Sequence, residues 1–181
     1  MNPNLEDAYE ELKRADHLLY VSLKYTRTVD IIKSIVERLI NLFDFSLEAL
    51  LSMLKDHNVI SSIPKSPGLR ANIVFDYYKN DEVMREFFQF YQLLRAISRA
   101  EFQRSSEFRR HVKMTAMLDN GNVEIDIDKI SEYYQKSRVF ITIVRKIMTA
   151  AENSPEVPVV NMEQLRESVM AELDFEKGYG N

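Results

Sequence analysis

Basic residues concentrate in one stretch of this chain, from Arg95 to Lys113. The stretch holds six of the 24 lysines and arginines and one of the three histidines. With only two glutamates it carries a net charge of +4, so the rest of the chain, whose total is −4, carries −8. Because an acidic protein has no overall attraction for phosphate, any attraction must come from such a local field. The predicted nucleic-acid-binding residues are Arg95, Arg99, Arg109, Arg110 and Lys113.

Within this stretch, Arg104 and His111 are the residues that could do chemistry. An arginine can hold a phosphate through two hydrogen bonds, and a neutral imidazole can take a proton from a ribose 2′-hydroxyl. These two roles suffice for metal-independent RNA cleavage by internal transesterification. On one helix, their seven-residue spacing would place both side chains on the same face, about 10 Å apart along the axis.

The alternative for this pair is structural. In that case His111 caps a helix and Arg104 forms an ion pair with a nearby carboxylate. The candidate partners of Arg104 are Glu101, Glu107 and Glu124.

No other group of residues predicts a metal or cofactor site. The chain has no cysteine, His17 and His57 are far from His111 in sequence, and no glycine-rich phosphate loop occurs. We therefore expect neither a metal nor a cofactor. The polar N-terminus is unlike a signal peptide, and charges interrupt the longest apolar region, Val29 to Leu54. These features predict a cytoplasmic protein that does not enter a membrane.

Apolar residues recur at intervals of three and four along most of the chain, which predicts helices. The first helix is expected to begin at the cap Asn4 and to end near Lys24. Thr28 can cap a second helix, whose wide apolar stripe reaches Asp56. Pro67 fits the first turn of a third helix.

Two further helices, the fourth and the fifth, are expected beyond residue 79. Asn80 or Asp81 begins the fourth, and Asp128 caps the fifth. Between them, residues 123–127 alternate like a strand after a strong turn signal. We interpret them as an extended connector or as half of a small hairpin with residues 114–118, because a single five-residue strand has no obvious partner.

These elements predict an all-α fold, an antiparallel bundle of four to six helices with a C-terminal helical arm. The bundle is expected to span residues 1–153, with the second and fifth helices at its centre. Residues 154–181 would form a proline-containing linker, a short helix and a mobile tail from residue 175. Because a short helix is marginal alone, we expect the arm to dock on its own bundle, a partner or a symmetry mate.

The order of these helices, together with Arg104 and His111, resembles the HEPN (higher eukaryote and prokaryote nucleotide-binding) domain. That family is marked by an arginine, four to six variable residues and a histidine, near the start of a late helix of a small bundle. Here six residues separate Arg104 from His111, and the resemblance covers roughly residues 4–152. It implies a symmetric homodimer whose basic segments face a shared cleft.

Three functions follow as hypotheses. The first is an RNA- or nucleotide-binding protein, either a binder alone or a ribonuclease that uses Arg104 and His111. The second is a non-enzymatic helical interaction or scaffold protein that homodimerises, and the third is a bundle that holds a ligand in its aromatic interior. For an RNA-binding protein, Phe88 is the expected exposed stacking residue, because it lies off the apolar stripe of its helix.

Overall fold

The computed structural model describes residues 2–178, with side chains from residue 2 to residue 174. In chain order, the helices and strands are α1 (Pro3–His17), α2 (Val29–Asp56), α3 (Pro67–Tyr77), α4 (Glu82–Arg99), β1 (Glu101–Ser105), β2 (Lys113–Leu118), β3 (Gly121–Ile125), α5 (Ile127–Glu152) and α6 (Met162–Gly178). A π-helical turn, Leu18–Ser22, and a last turn, Leu23–Tyr25, continue α1.

Polar N-cap side chains set the starts of α1, α4 and α5. The predicted starts of α2, α3 and α4 are confirmed, whereas α1 and α5 begin two residues earlier than predicted. Asn2, not Asn4, caps α1, and its side chain accepts a hydrogen bond from the Asn4 N–H at 2.9 Å. Asp126, not Asp128, caps α5 and accepts from the Lys129 N–H at 2.8 Å.

Helices α2 and α5 form the centre of the bundle, as predicted. Near the middle of the two helices, the ring of the fully buried Phe43 stacks on that of Phe140, with 4.2 Å between centroids. At their C-terminal ends, the His57 ring lies 3.2 Å from the carbonyl oxygen of Ser154. The two central helices therefore run parallel, and the prediction of a wholly antiparallel bundle is wrong for this pair.

The path of α4 explains the parallel pair. The ring of Phe90 on α4 lies 5.8 Å from that of Phe43, and Lys33 near the start of α2 lies 5.1 Å from the ring of Phe102, just beyond the end of α4. Helix α4 is thus antiparallel to α2 and returns the chain to the end where α2 begins. Helix α5 starts at that end and runs beside α2 in the same direction.

A three-stranded antiparallel sheet in the order β1-β2-β3 lies at this end of the bundle. The fold is therefore mostly helical, and the prediction of an all-α fold is corrected by the presence of this small sheet. One face of the sheet carries the fully buried Met114, Ala116 and Ile125, which pack against the helices. The β2–β3 hairpin was one of the predicted alternatives; β1, which pairs with β2 from Ser105 opposite Lys113, was not predicted.

The C-terminal arm docks on its own bundle. Its helix α6 buries Met162, Val169 and Leu173, and Glu172 pairs with Lys146 of α5 at 2.7 Å. The prediction of a mobile tail concerns residues 175–181, whose side chains, and from Tyr179 also the backbone, lie outside the described residues. Among the described helices, none combines the length and the apolar character needed to cross a bilayer.

Candidate nucleic-acid interface

Residues 106–112, which connect β1 to β2 and are called the basic loop below, are anchored to the start of α2. The Phe108 N–H donates to the Arg27 carbonyl at 2.6 Å. The Glu107 carboxylate accepts a hydrogen bond from the Val29 N–H at 3.1 Å, so it caps α2 in the manner of an N-cap side chain. The loop also contains two residues with positive φ, Ser106 (53°) and Phe108 (62°).

Arg104 holds this anchor together from β1. Its guanidinium donates to Asp30 at 2.8 Å and to Glu107 at 3.2 Å, and it lies 5.2 Å from the centre of the Phe102 ring. The hydrogen bond from Arg104 lowers the pKa of Asp30, and the bonds to Asp30 and Glu107 raise the pKa of Arg104. Glu107 was one of the predicted ion-pair partners. For Arg104, the structure therefore agrees with the alternative in which this arginine pairs with a nearby carboxylate.

His111 lies on another side of the loop. It lines a cavity of about 490 Å³, and Arg104 is not among the lining residues. Strand register explains the separation, because Arg104 is opposite the buried Met114 whereas Lys113 is opposite Ser105, on the other face of the sheet. The structure therefore does not bring Arg104 and His111 together in this cavity. The lining residues are Ser105, Ser106, Arg110, His111, Lys113, Asp126, Ile127 and Asp128.

The remaining cations of the loop, and Lys113 at the start of β2, differ in their ion pairs. Lys113 pairs with Glu124 at 2.9 Å. Arg109, Arg110 and His111 are exposed, and none of the three forms an ion pair within residues 2–174. The basic loop therefore presents to solvent two guanidinium groups without ion pairs and an imidazole, from a backbone anchored to the start of α2.

Arg95 and Arg99, which the sequence grouped with these residues, lie elsewhere on α4. Arg95 is half-buried over the ring of Tyr91, at 5.4 Å, and donates to the Tyr91 hydroxyl at 3.4 Å. Arg99 lies in a groove beside the β2–β3 turn with Asp119. Because that turn is at the end of the sheet opposite the basic loop, neither arginine shares a surface with His111.

The exposed aromatic residues are also different from the predicted one. Phe88 is half-buried and packs on Phe75 of α3, with 4.6 Å between ring centres, so its prediction as an exposed stacking residue is wrong. Phe108 and Tyr25 are 74% and 80% exposed instead. Each of the two aromatic residues follows a charged residue and lies in a segment that interrupts the helical spacing of apolar residues. This signal in the sequence could have predicted that their side chains are exposed.

Among the described side chains, no group of three or more histidines, aspartates or glutamates is arranged to hold a metal ion. Comparison of the chain with models of known families, with curated proteins and with solved structures gives no match. The resemblance to HEPN domains therefore depends on the sequence alone, that is, on the order of the helices and the Arg104–His111 motif. That motif was expected near the start of a late helix, whereas Arg104 lies on β1 and His111 in the basic loop.

Proposed function

We propose that the protein binds single-stranded RNA through the basic loop. The observation that carries this proposal is the exposure of Arg109, Arg110 and His111 on a loop whose backbone is fixed by Glu107 and Arg104. Cations without protein partners lose no ion pair when they contact phosphate, and a fixed loop loses little conformational entropy on binding. Arg104 is then a positioning residue, since it pairs with Asp30 at the start of α2 and with Glu107 of the basic loop.

Replacing both Arg109 and Arg110 by alanine is expected to weaken binding of a fluorescent oligouridine by at least about tenfold at low salt. Because each phosphate contact on a single strand contributes about 0.7 to the slope of log affinity against log salt, the slope should fall by about 1.4. Fluorescence anisotropy at several salt concentrations measures both quantities.

The matched control is the double variant Lys55→Ala/Lys65→Ala, which removes the same charge from two exposed positions outside the loop. It should bind nearly as tightly as the wild type. Equal losses in the two double variants would indicate attraction by net charge alone. No binding by the wild type would leave the scaffold and the ligand-binding hypotheses. The homodimer implied by the HEPN resemblance stays a prediction that light scattering tests.

We further propose RNA cleavage as a second activity of the same surface, because His111 lines one cavity with Arg110 and Lys113, beside Asp126 and Asp128. His111 would take the proton of the ribose 2′-hydroxyl, whose oxygen attacks the adjacent phosphorus to form a 2′,3′-cyclic phosphate. The bond from phosphorus to the 5′-oxygen of the next nucleotide breaks, and that oxygen takes a proton from water. Arg110 would then hold the phosphate in the role that the sequence assigned to Arg104.

His111→Ala is expected to abolish this cleavage while changing RNA affinity by less than about threefold, because the guanidinium groups of Arg109 and Arg110 remain to contact phosphate. Gel analysis of a labelled single strand in the presence of EDTA measures cleavage, and a 2′,3′-cyclic phosphate on the product identifies the reaction. Cleavage that persists in His111→Ala would assign the base to another residue, and cleavage that EDTA stops would overturn the metal-independent mechanism.

A further inference from the structure

A second segment, residues 24–27 at the end of α1, lies against the basic loop. The Phe108 N–H and the Arg27 carbonyl join the two segments at 2.6 Å. This segment carries Tyr25, the aromatic side chain with 80% exposure, only two residues from that hydrogen bond. The two most exposed aromatic rings in the described part of the chain, those of Tyr25 and Phe108, are therefore placed on adjoining segments.

The backbone at Phe108 is held in an unfavourable conformation. A positive φ of 62° is uncommon for a bulky residue and persists only when surrounding contacts impose it. Here those contacts are the bond to Arg27 and the cap that Glu107 provides to Val29. They fix the backbone while the ring of Phe108, 74% exposed, packs into no core.

Cations lie close in sequence to each of the two rings. Lys24 and Arg27 flank Tyr25, and Arg109 and Arg110 follow Phe108. Within residues 2–174, none of these four cations forms an ion pair. Exposed rings interleaved with cations that form no ion pair are a combination that binds single-stranded nucleic acids, because bases stack on the rings while phosphates contact the cations.

We infer that Tyr25 and Phe108 form a stacking platform for unpaired RNA bases, which makes the protein selective for single strands over duplexes. The inference rests on the proposed function and extends its surface to residues 24–27. Bases in a duplex are already stacked on one another, so their faces are not available to the two rings. Because every base has a π-face, the platform favours unpaired RNA without specifying a sequence.

The chain has no tryptophan, so Phe108→Trp and Tyr25→Trp each introduce a single tryptophan, whose emission is recorded separately from that of the tyrosines. Titration with an oligouridine is expected to quench both tryptophans strongly, because a base stacks on the indole. A duplex RNA of equal length should quench them much less. The control Met170→Trp, at a half-exposed position on α6, should not respond to either RNA.

Affinity gives a second measurement. Phe108→Ala and Tyr25→Ala are each expected to weaken single-strand binding about five- to hundredfold, in line with the loss of one stacked base. Phe108→Leu keeps the apolar bulk without the aromatic face and should lose nearly as much. Urea midpoints equal to that of the wild type confirm that each variant is folded.

The outcomes separate this inference from the proposed function. If Arg109 and Arg110 matter for affinity but neither tryptophan is quenched and the alanine variants bind normally, the platform is overturned and the proposed function stands. If the wild type binds no RNA, the proposed function itself fails. A blue shift of both tryptophans with phosphatidylserine vesicles, without quenching by RNA, would assign the rings to a membrane surface and overturn the inference.

Discussion

Replacing Phe43 by alanine is expected to destabilise the protein by about 3–5 kcal/mol, the usual cost of removing a fully buried phenylalanine. The ring is completely buried and lies 4.2 Å from that of Phe140, 5.5 Å from that of Tyr91 and 5.8 Å from that of Phe90. Its removal opens a cavity between α2, α4 and α5, and three rings lose their common partner. Urea unfolding followed by circular dichroism measures the change, which is a large share of the stability of an ordinary domain.

Phe45→Ala is the matched control, because it makes the same substitution two residues away on a partly buried face of α2. We expect it to cost less than half as much as Phe43→Ala. If both variants unfold at the wild-type urea midpoint, the aromatic cluster does not hold α2, α4 and α5 together as the structure indicates.

The helices could be predicted from sequence because each buries a continuous stripe. In α2, for example, Ile32, Leu39 and Leu47 recur at helical spacing and are almost fully buried. Such a pattern arises from the helix itself, so it is visible in a short window of sequence. The relative direction of α2 and α5 is not local information, since it depends on the intervening path through α4 and the sheet.

Strand β1 could not be predicted for a related reason. Phe102 is its only large apolar residue, and the neighbouring Glu101, Gln103 and Arg104 are exposed. No alternation marks it as a strand, because its conformation comes from pairing with β2 rather than from burial of its own side chains. The polar sequence therefore does not distinguish a strand from a continuation of α4.

The candidate site, too, depends on contacts between residues that are distant in sequence. Spacing predicted Arg104 and His111 as a pair, but alternation along β1 directs Arg104 towards Asp30, which lies 74 residues away in sequence. The anchor of Phe108 on Arg27 is equally remote in sequence. Contacts between residues distant in sequence decide which cations form ion pairs. In the described part of the chain, Arg109 and Arg110 form none.

The second large effect is expected at the docking of α6. Val169 is completely buried, together with Met162 and Leu173 on the same helix. Val169→Asp would place an unpaired carboxylate in this contact, which costs several kcal/mol unless the helix detaches. Detachment exposes three apolar side chains at about 1.5–3 kcal/mol each. The exposed ion pairs of Glu172 contribute less than about 1 kcal/mol each and cannot replace that loss.

We therefore expect limited proteolysis to cut Val169→Asp in the segment between α5 and α6 well before it cuts the wild type. Ser168→Asp adds the same charge at the neighbouring exposed position and should be as resistant as the wild type. Equal resistance of the two variants would mean that Val169 does not hold the arm. Faster cleavage of Val169→Asp alone would show that α6 is stabilised by its buried face, since a 17-residue helix with exposed ion pairs but no apolar cover is marginal in water.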